Sequence, residues 1–273
     1  EIAIFLQFQR VTVDNSTHWG GMKNILYWED GVGSLYKFVE LRLGKGSSGT
    51  WLRGKNAWGK YGIGIKQIGE LPATIYSGEL YDNNMVALIP NNQEYLLAIY
   101  VFCSSSEFNK KVRMLNQTLA VDTQYILSVP FDFDYWSKVA EEKYPHGLPY
   151  PYSDDPTQWI FHGHPCGSVI WDDETKWTAH GPLRSDEIVL HVAAARLLGY
   201  RWPAEQDPDM ELAAESKEWV HACQDLLPLA DEDGIVCIPS VHGEARASEQ
   251  VLRILEKAYG DAWGPSIFNK LLE

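Results

Sequence analysis

Residues 62–130, GIGIKQIGELPATIYSGELYDNNMVALIPNNQEYLLAIYVFCSSSEFNKKVRMLNQTLAVDTQYILSVP, change hydrophobic period partway along, and that change decides the fold class. Residues 62–68 alternate Ile63 and Ile65 with small or polar neighbours, the period of a strand. Pro72 precedes a second short strand at 74–76, and 85–89 reads as a third, stopped by Pro90. The period then lengthens. Leu96, Ile99, Tyr100 and Cys103 share one face of a helix over 93–103. Ser104 with Glu107 reads as a capping box, opening a helix that places Phe108, Val112 and Leu115 together. Residues 124–129, ending at Pro130, read as a strand.

Working outward, residues 2–8 and 35–43 also read as strands, and 135–144 as a helix. Residues 1–136 are therefore expected to form a mixed α/β domain. Beyond them, 144–156 contains four prolines and reads as a connector. Ser185 is expected to cap a helix ending near Gly199, and Asp207–Pro208 to open another with Trp219, Cys223 and Leu226 on its apolar face. A last helix carries Val251, Leu252, Leu255 and Ala258 and stops at Gly260. The expectation is an α+β chain: a mixed domain over 1–136 and a mainly helical extension over 137–273.

The 273 residues are 45% hydrophobic and 22% charged, a globular composition that excludes disordered and fibrous chains. The longest apolar run, 95–103, is too short for a bilayer span. Four cysteines without CxxC spacing exclude a disulfide scaffold and point to a reducing cytoplasm. Glu1 in place of an initiator Met marks the chain as an expected fragment.

The net charge of −14 is unevenly spread. Residues 1–136 carry 12 Lys and Arg against 13 Asp and Glu, or −1; the remainder carry 11 against 24, or −13. Arg42, Lys45, Arg53, Lys55, Lys60 and Lys66 occur with no acid between 41 and 69, interleaved with Trp51, Trp58, Tyr61 and glycines. Mobile cations and flat aromatic faces are what contact with nucleic acid requires. These cations are the candidate phosphate contacts. Arg53, Asn56, Lys66 and Gln67 are the candidates for reading base edges, since they carry paired donors or acceptors.

Other patterns fit their chemistries less well. Gly44-Lys-Gly46-Ser-Ser-Gly49 matches GxGxxG, but the Gly-, Asn- and Trp-rich residues after it do not read as the helix that a pyrophosphate site needs. Asp132, Asp134 and Glu141-Glu142-Lys143 loosely match a nuclease set, and read better as a solvated helix face. His162-Gly-His164-Pro-Cys166 is the densest metal-capable cluster, but lacks an evident second ligand pair and reads better as a structural turn. Ser240 and His242 lack the GxSxG context of a nucleophile.

Two segments carry a resemblance. Residues 62–134 order a strand ending in IPN, a helix ending at CSS, then SEFNKKVRMLNQ and an extended piece closing on VPFD. This resembles the target-recognition region of large N6-adenine DNA methyltransferases: type IIG restriction–modification enzymes and their BREX and DISARM phage-defence relatives. YPHGLPYPYSDDPTQWIFHGHP, LLGYRWPAEQDPDMELA and LADEDGIVCIP are similar to the C-terminal continuation of the same enzymes. The family's Asn/Asp-Pro-Pro-aromatic signature, which holds a flipped adenine, is absent. At Leu41-Arg42-Leu43-Gly44, Arg42 stands where the cofactor loop would need an acid. The resemblance thus implies a non-catalytic, cofactor-free piece. Its partners would be double-stranded DNA, a missing catalytic domain that binds S-adenosylmethionine, and other defence subunits, away from any membrane. The alternative from another class is a carbohydrate- or peptide-binding module stacking its ligand on Trp51, Trp58, Trp171 and Trp177.

Overall fold

The computed structural model describes residues 6–46 and 54–272. The chain is α+β, and divides into two compact units, Glu1–Leu148 and Pro149–Glu273.

The first unit holds two three-stranded sheets. In one, β1 (Leu6–Arg10) lies between β2 (Met22–Tyr27), antiparallel, and β5 (Leu80–Tyr81), parallel. In the other, β3 (Gly62–Lys66) lies between β4 (Ala73–Tyr76) and β6 (Met85–Leu88), antiparallel to both. Ile63 and Ile65 of β3 are fully buried. A Cβ at the intervening Gly64 would sit 2.7 Å from Met85 Sδ, so glycine lets β6 close onto the centre of the sheet. Helix α2 (Leu96–Cys103) is apolar on all sides and is buried accordingly, packed on β3, β4 and α5 (Phe133–Lys143). Phe102 meets Trp136 of α5 at 5.1 Å between ring centroids.

A buried arginine joins the two sheets. The β1–β2 register shifts at Gln9/Arg10, and Arg10 is fully buried. Its guanidinium donates to both Glu79 oxygens (3.1 and 3.0 Å), to Ser77 Oγ (3.0 Å) and to the Gly20 carbonyl (2.8 Å). Burial pushes the Glu79 carboxyl up, but the Arg10 charge and hydrogen bonds, with Ser77, outweigh it and hold the group below its usual range.

Three local expectations change in this unit. Residues 34–43 form a helix, α1 (Ser34–Leu43), not a strand. Leu, Lys, Glu and Arg favour helix, the Glu29 carboxylate accepts the Ser34 N–H, and Gly44 ends the helix at φ +98°. Residues 123–127 likewise form a short helix, α4 (Thr123–Leu127), closed by the Tyr125 N–H donating to the Asp122 carbonyl at 3.0 Å. Helix α3 (Ser106–Leu115) is capped by Ser105 rather than Ser104. Ser105 Oγ accepts the Phe108 N–H at 3.2 Å while donating to the Phe102 carbonyl at 2.6 Å. Phe108 and Val112 are buried, while Leu115 is exposed.

The second unit pairs a hairpin, β7 (Val169–Asp172) and β8 (Trp177–His180), with helices α6 (Glu187–Leu197), α7 (Pro203–Gln206), α8 (Ala214–Ala222), α9 (Ala247–Tyr259) and α10 (Pro265–Leu272). Its core joins Val189, Ala193 and Leu197 of α6 to Ile254, Leu255 and Tyr259 of α9, with Cys166 and Leu271. Asp186, not Ser185, caps α6, accepting the Ile188 N–H at 3.0 Å. Asp207 ends α7 instead of opening a helix: its N–H donates to the Pro203 carbonyl at 3.0 Å. Pro203 is the residue at the first helical position, and Glu205 accepts the Trp202 N–H at 2.9 Å. No helix among the described residues is long and apolar enough to cross a membrane.

Candidate nucleic-acid interface

The basic run occupies the surface of the first unit in two groups. Arg42 lies in the last turn of α1, its guanidinium 5.6 Å from the centre of the Phe38 ring, and Lys45 in the exposed turn after it. Arg53 and Trp51 lie outside the described residues. Lys55 and Asn56 share a 3₁₀ turn, Lys55–Ala57, with Lys60 just beyond, all three exposed. Backbone bonds fix this turn: Trp58 N–H to the Lys55 carbonyl (3.3 Å), Lys60 N–H to Ala57 (3.1 Å) and Gly59 N–H to Gly78 (2.9 Å). Trp58 packs edge-on against Trp28 at 5.7 Å. No ion pair among the described residues engages Arg42, Lys45, Lys55 or Lys60.

Lys66 and Gln67 sit at the far end of β3, a strand of five residues at about 3.3 Å each. Lys66 pairs with Asp14 at 3.0 Å. The Gln67 side-chain amide donates to the Val121 carbonyl at 2.9 Å, and its backbone bonds Asn84 and Val121. These two side chains tie loops together, whereas the 55–60 turn presents its cations to solvent.

The turn borders a groove of about 580 Å³ whose walls include Asn56, Tyr81, Tyr95, Leu127 and Phe131. Gly54 makes the close approach possible. At φ +78°, a Cβ there would lie 2.1 Å from the Tyr81 hydroxyl. The groove was not legible in the sequence, because its walls come from positions 54 to 131 and one of them, α4, reads locally as a strand.

The histidine turn of the second unit is built differently. His162 and His164 are buried, and hydrogen bonding assigns their tautomers: His162 Nδ1 accepts the His164 N–H (3.0 Å) and His164 Nδ1 the Gly167 N–H (3.1 Å). The Cys166 thiol lies 3.4 Å from the Ala258 carbonyl and the Cys223 thiol 3.5 Å from that of His162. Burial pushes His164 down to about 3, lowers His162, and pushes both thiols up to about 12. Imidazole lone pairs committed to backbone amides, beside protonated thiols, suit a structural turn rather than a ligand set. Among the described residues no group of three or more His, Cys, Asp or Glu is placed to hold a metal ion.

The remaining patterns have local duties. Asp132 caps α5, accepting the Tyr135 N–H at 3.0 Å. Ser240 donates to the Glu244 carbonyl at 2.5 Å. Gly44 and Gly46 follow a helix, α1, where a dinucleotide loop would follow a strand. Trp171 and Trp177 lie on the β7–β8 hairpin of the second unit, and Trp58 in the first.

Comparison with protein-family models gives no match, and comparison with curated proteins gives none either.

Proposed function

We propose that the first unit binds and reads duplex DNA as the non-catalytic part of an S-adenosylmethionine-dependent N6-adenine DNA methyltransferase of a restriction–modification or phage-defence system. The carrying observation is the unneutralised basic run: four exposed cations, Arg42, Lys45, Lys55 and Lys60, without ion pairs among the described residues, in a chain of charge −14. Exposed cations without carboxylate partners among the described residues suit a polyanion. The order of features from Gly62 to Asp134 supports the same reading through its resemblance to target-recognition regions. S-adenosylmethionine and the methyl transfer would belong to a catalytic domain joined to this chain, acting in the cytoplasm, and other defence subunits are further partners of that assembly.

Fluorescence anisotropy of a labelled mixed-sequence duplex across a salt series tests this. Four phosphate contacts give a log–log salt slope of about −3.6, or about a 150-fold loss of affinity between 50 and 200 mM salt. The triple variant K45A/K55A/K60A flattens the slope to about −0.9. An absence of binding at 50 mM, or a slope unmoved by the triple variant, overturns the proposal.

A further inference from the structure

We propose that the groove beside the Lys55–Ala57 turn takes a nucleobase that has left its stack; this rests on the DNA reading above and assigns that surface a second role. The groove's volume of about 580 Å³ is within the range of small-ligand sites. Its lining includes the aliphatic Val86 and Leu88 of β6 and the aromatic rings of Tyr81, Tyr95 and Phe131. Tyr95 is 40% exposed, with its ring 4.3 Å from that of Phe133. Leu127, a lining residue that is 65% exposed, adds apolar surface that folding has left uncovered.

Charge and polarity narrow the occupant. None of the groove's described lining residues is charged at neutral pH, although the chain has 37 acidic residues. The polar groups that line it include the side-chain amides of Asn56 and Asn91, each able to donate and accept. Lys55 is exposed and lies in sequence between two lining residues, Gly54 and Asn56. A flat, apolar-faced group with a hydrogen-bonding edge, tethered to an anionic backbone, matches the apolar and aromatic lining, the amides and the cation together. An apolar peptide can fill the apolar lining and pair with the amides through its backbone, but it leaves the Lys55 cation without an anionic partner.

The test compares three duplexes of one sequence: fully paired, with one extrahelical thymidine, and with an extrahelical abasic residue. The thymidine bulge is expected to bind about tenfold tighter than the abasic one. Thr123→Trp, a substitution at an exposed lining position, is expected to remove that difference. Equal affinity for the two bulges, or a preference that survives T123W, overturns the proposal. Thymidine 5′-monophosphate, titrated against the methyl resonances of Val86, Leu88 and Leu127, separates this failure from that of the DNA reading. Duplex binding without methyl shifts overturns the groove assignment alone; methyl shifts without duplex binding overturn the DNA reading alone. A Leu-rich amphipathic peptide that shifts these methyls where the nucleotide does not overturns the assignment in favour of a protein partner.

Discussion

Replacing Arg10 by Met removes the cation that joins the two sheets of the first unit while keeping an apolar stem of similar reach. Four hydrogen bonds go with it: two to Glu79 and one each to Ser77 and Gly20. The Glu79 carboxylate, only 15% exposed, is left without its counter-ion. Breaking one side of such a buried pair costs about 3–5 kcal/mol, or about 10 °C of melting temperature for a unit of this size. The pH dependence carries the sharper signature. In the native chain the folded pKa of Glu79 is depressed, so its contribution is present above the ordinary carboxylate pKa and is lost as pH falls through the folded value. In R10M only the Ser77 and backbone hydrogen bonds still oppose burial, so the Glu79 pKa rises relative to the native chain and the variant loses less stability on acidification than the native protein does. The gap between the two proteins is therefore widest at pH 7 and narrows towards pH 4. Urea unfolding followed by amide exchange of peptides over residues 62–76 isolates the first unit. R10M/E79L should recover part of the loss. A gap below about 1 kcal/mol, or one equal at pH 4 and pH 7, refutes the reasoning.

Two further predictions concern groups buried in unfavourable protonation environments. His18 and His164 have their pKa values pushed down by burial, to about 4 and about 3. The unfolded chain takes up these protons first as pH falls below about 6.5, so each imidazole withdraws about 1.4 kcal/mol of stability per pH unit down towards its folded pKa. Their ring-proton resonances should stay flat between pH 7 and 5, and titration in that window would contradict the burial argument. Cys103, Cys166 and Cys223 are buried, while Cys237 is half-buried with its thiol donating to Glu244 at 2.8 Å. A disulfide reagent should therefore modify one thiol of four in the native protein. That reaction should quicken in E244Q, because the Glu244 hydrogen bond, with some burial, raises the Cys237 pKa. Three rapidly reacting thiols would contradict the assigned core.

What the sequence disclosed is what local period encodes. The alternation of Ile63 and Ile65, the apolar helix ending at Cys103 and the Val251–Ala258 face with its stop at Gly260 correspond to β3, α2 and α9. Residues 35–43 read as a strand because Phe38, Leu41 and Leu43 are apolar yet exposed, so their pattern does not trace a buried face. Only Val39 of α1 is buried. Cap positions were displaced by one residue where two candidates adjoin, as at Ser104/Ser105 and Ser185/Asp186; geometry at the helix end, not residue type, chooses between them. Arg10 was invisible because its partner Glu79 lies 69 positions away. Of the candidate interface residues, Lys55 and Asn56 share one turn with Lys60 just beyond it, while Lys66 and Gln67 serve loop contacts that no spacing rule encodes.

The alternation of glycine and isoleucine in β3 has a consequence for folding fidelity. A strand's side chains switch faces with every residue, so a slip of one position would exchange them all. In β3 such a slip would drive Ile63 or Ile65 towards Met85 and the Leu88 carbonyl, into space that only hydrogen now fills at Gly62 and Gly64. It would also leave glycines opposite the core, opening voids where two isoleucines are fully buried. The misaligned sheet thus suffers a collision on one face and a cavity on the other. Pairing errors are discouraged by the strand itself, before the turns at its ends contribute anything.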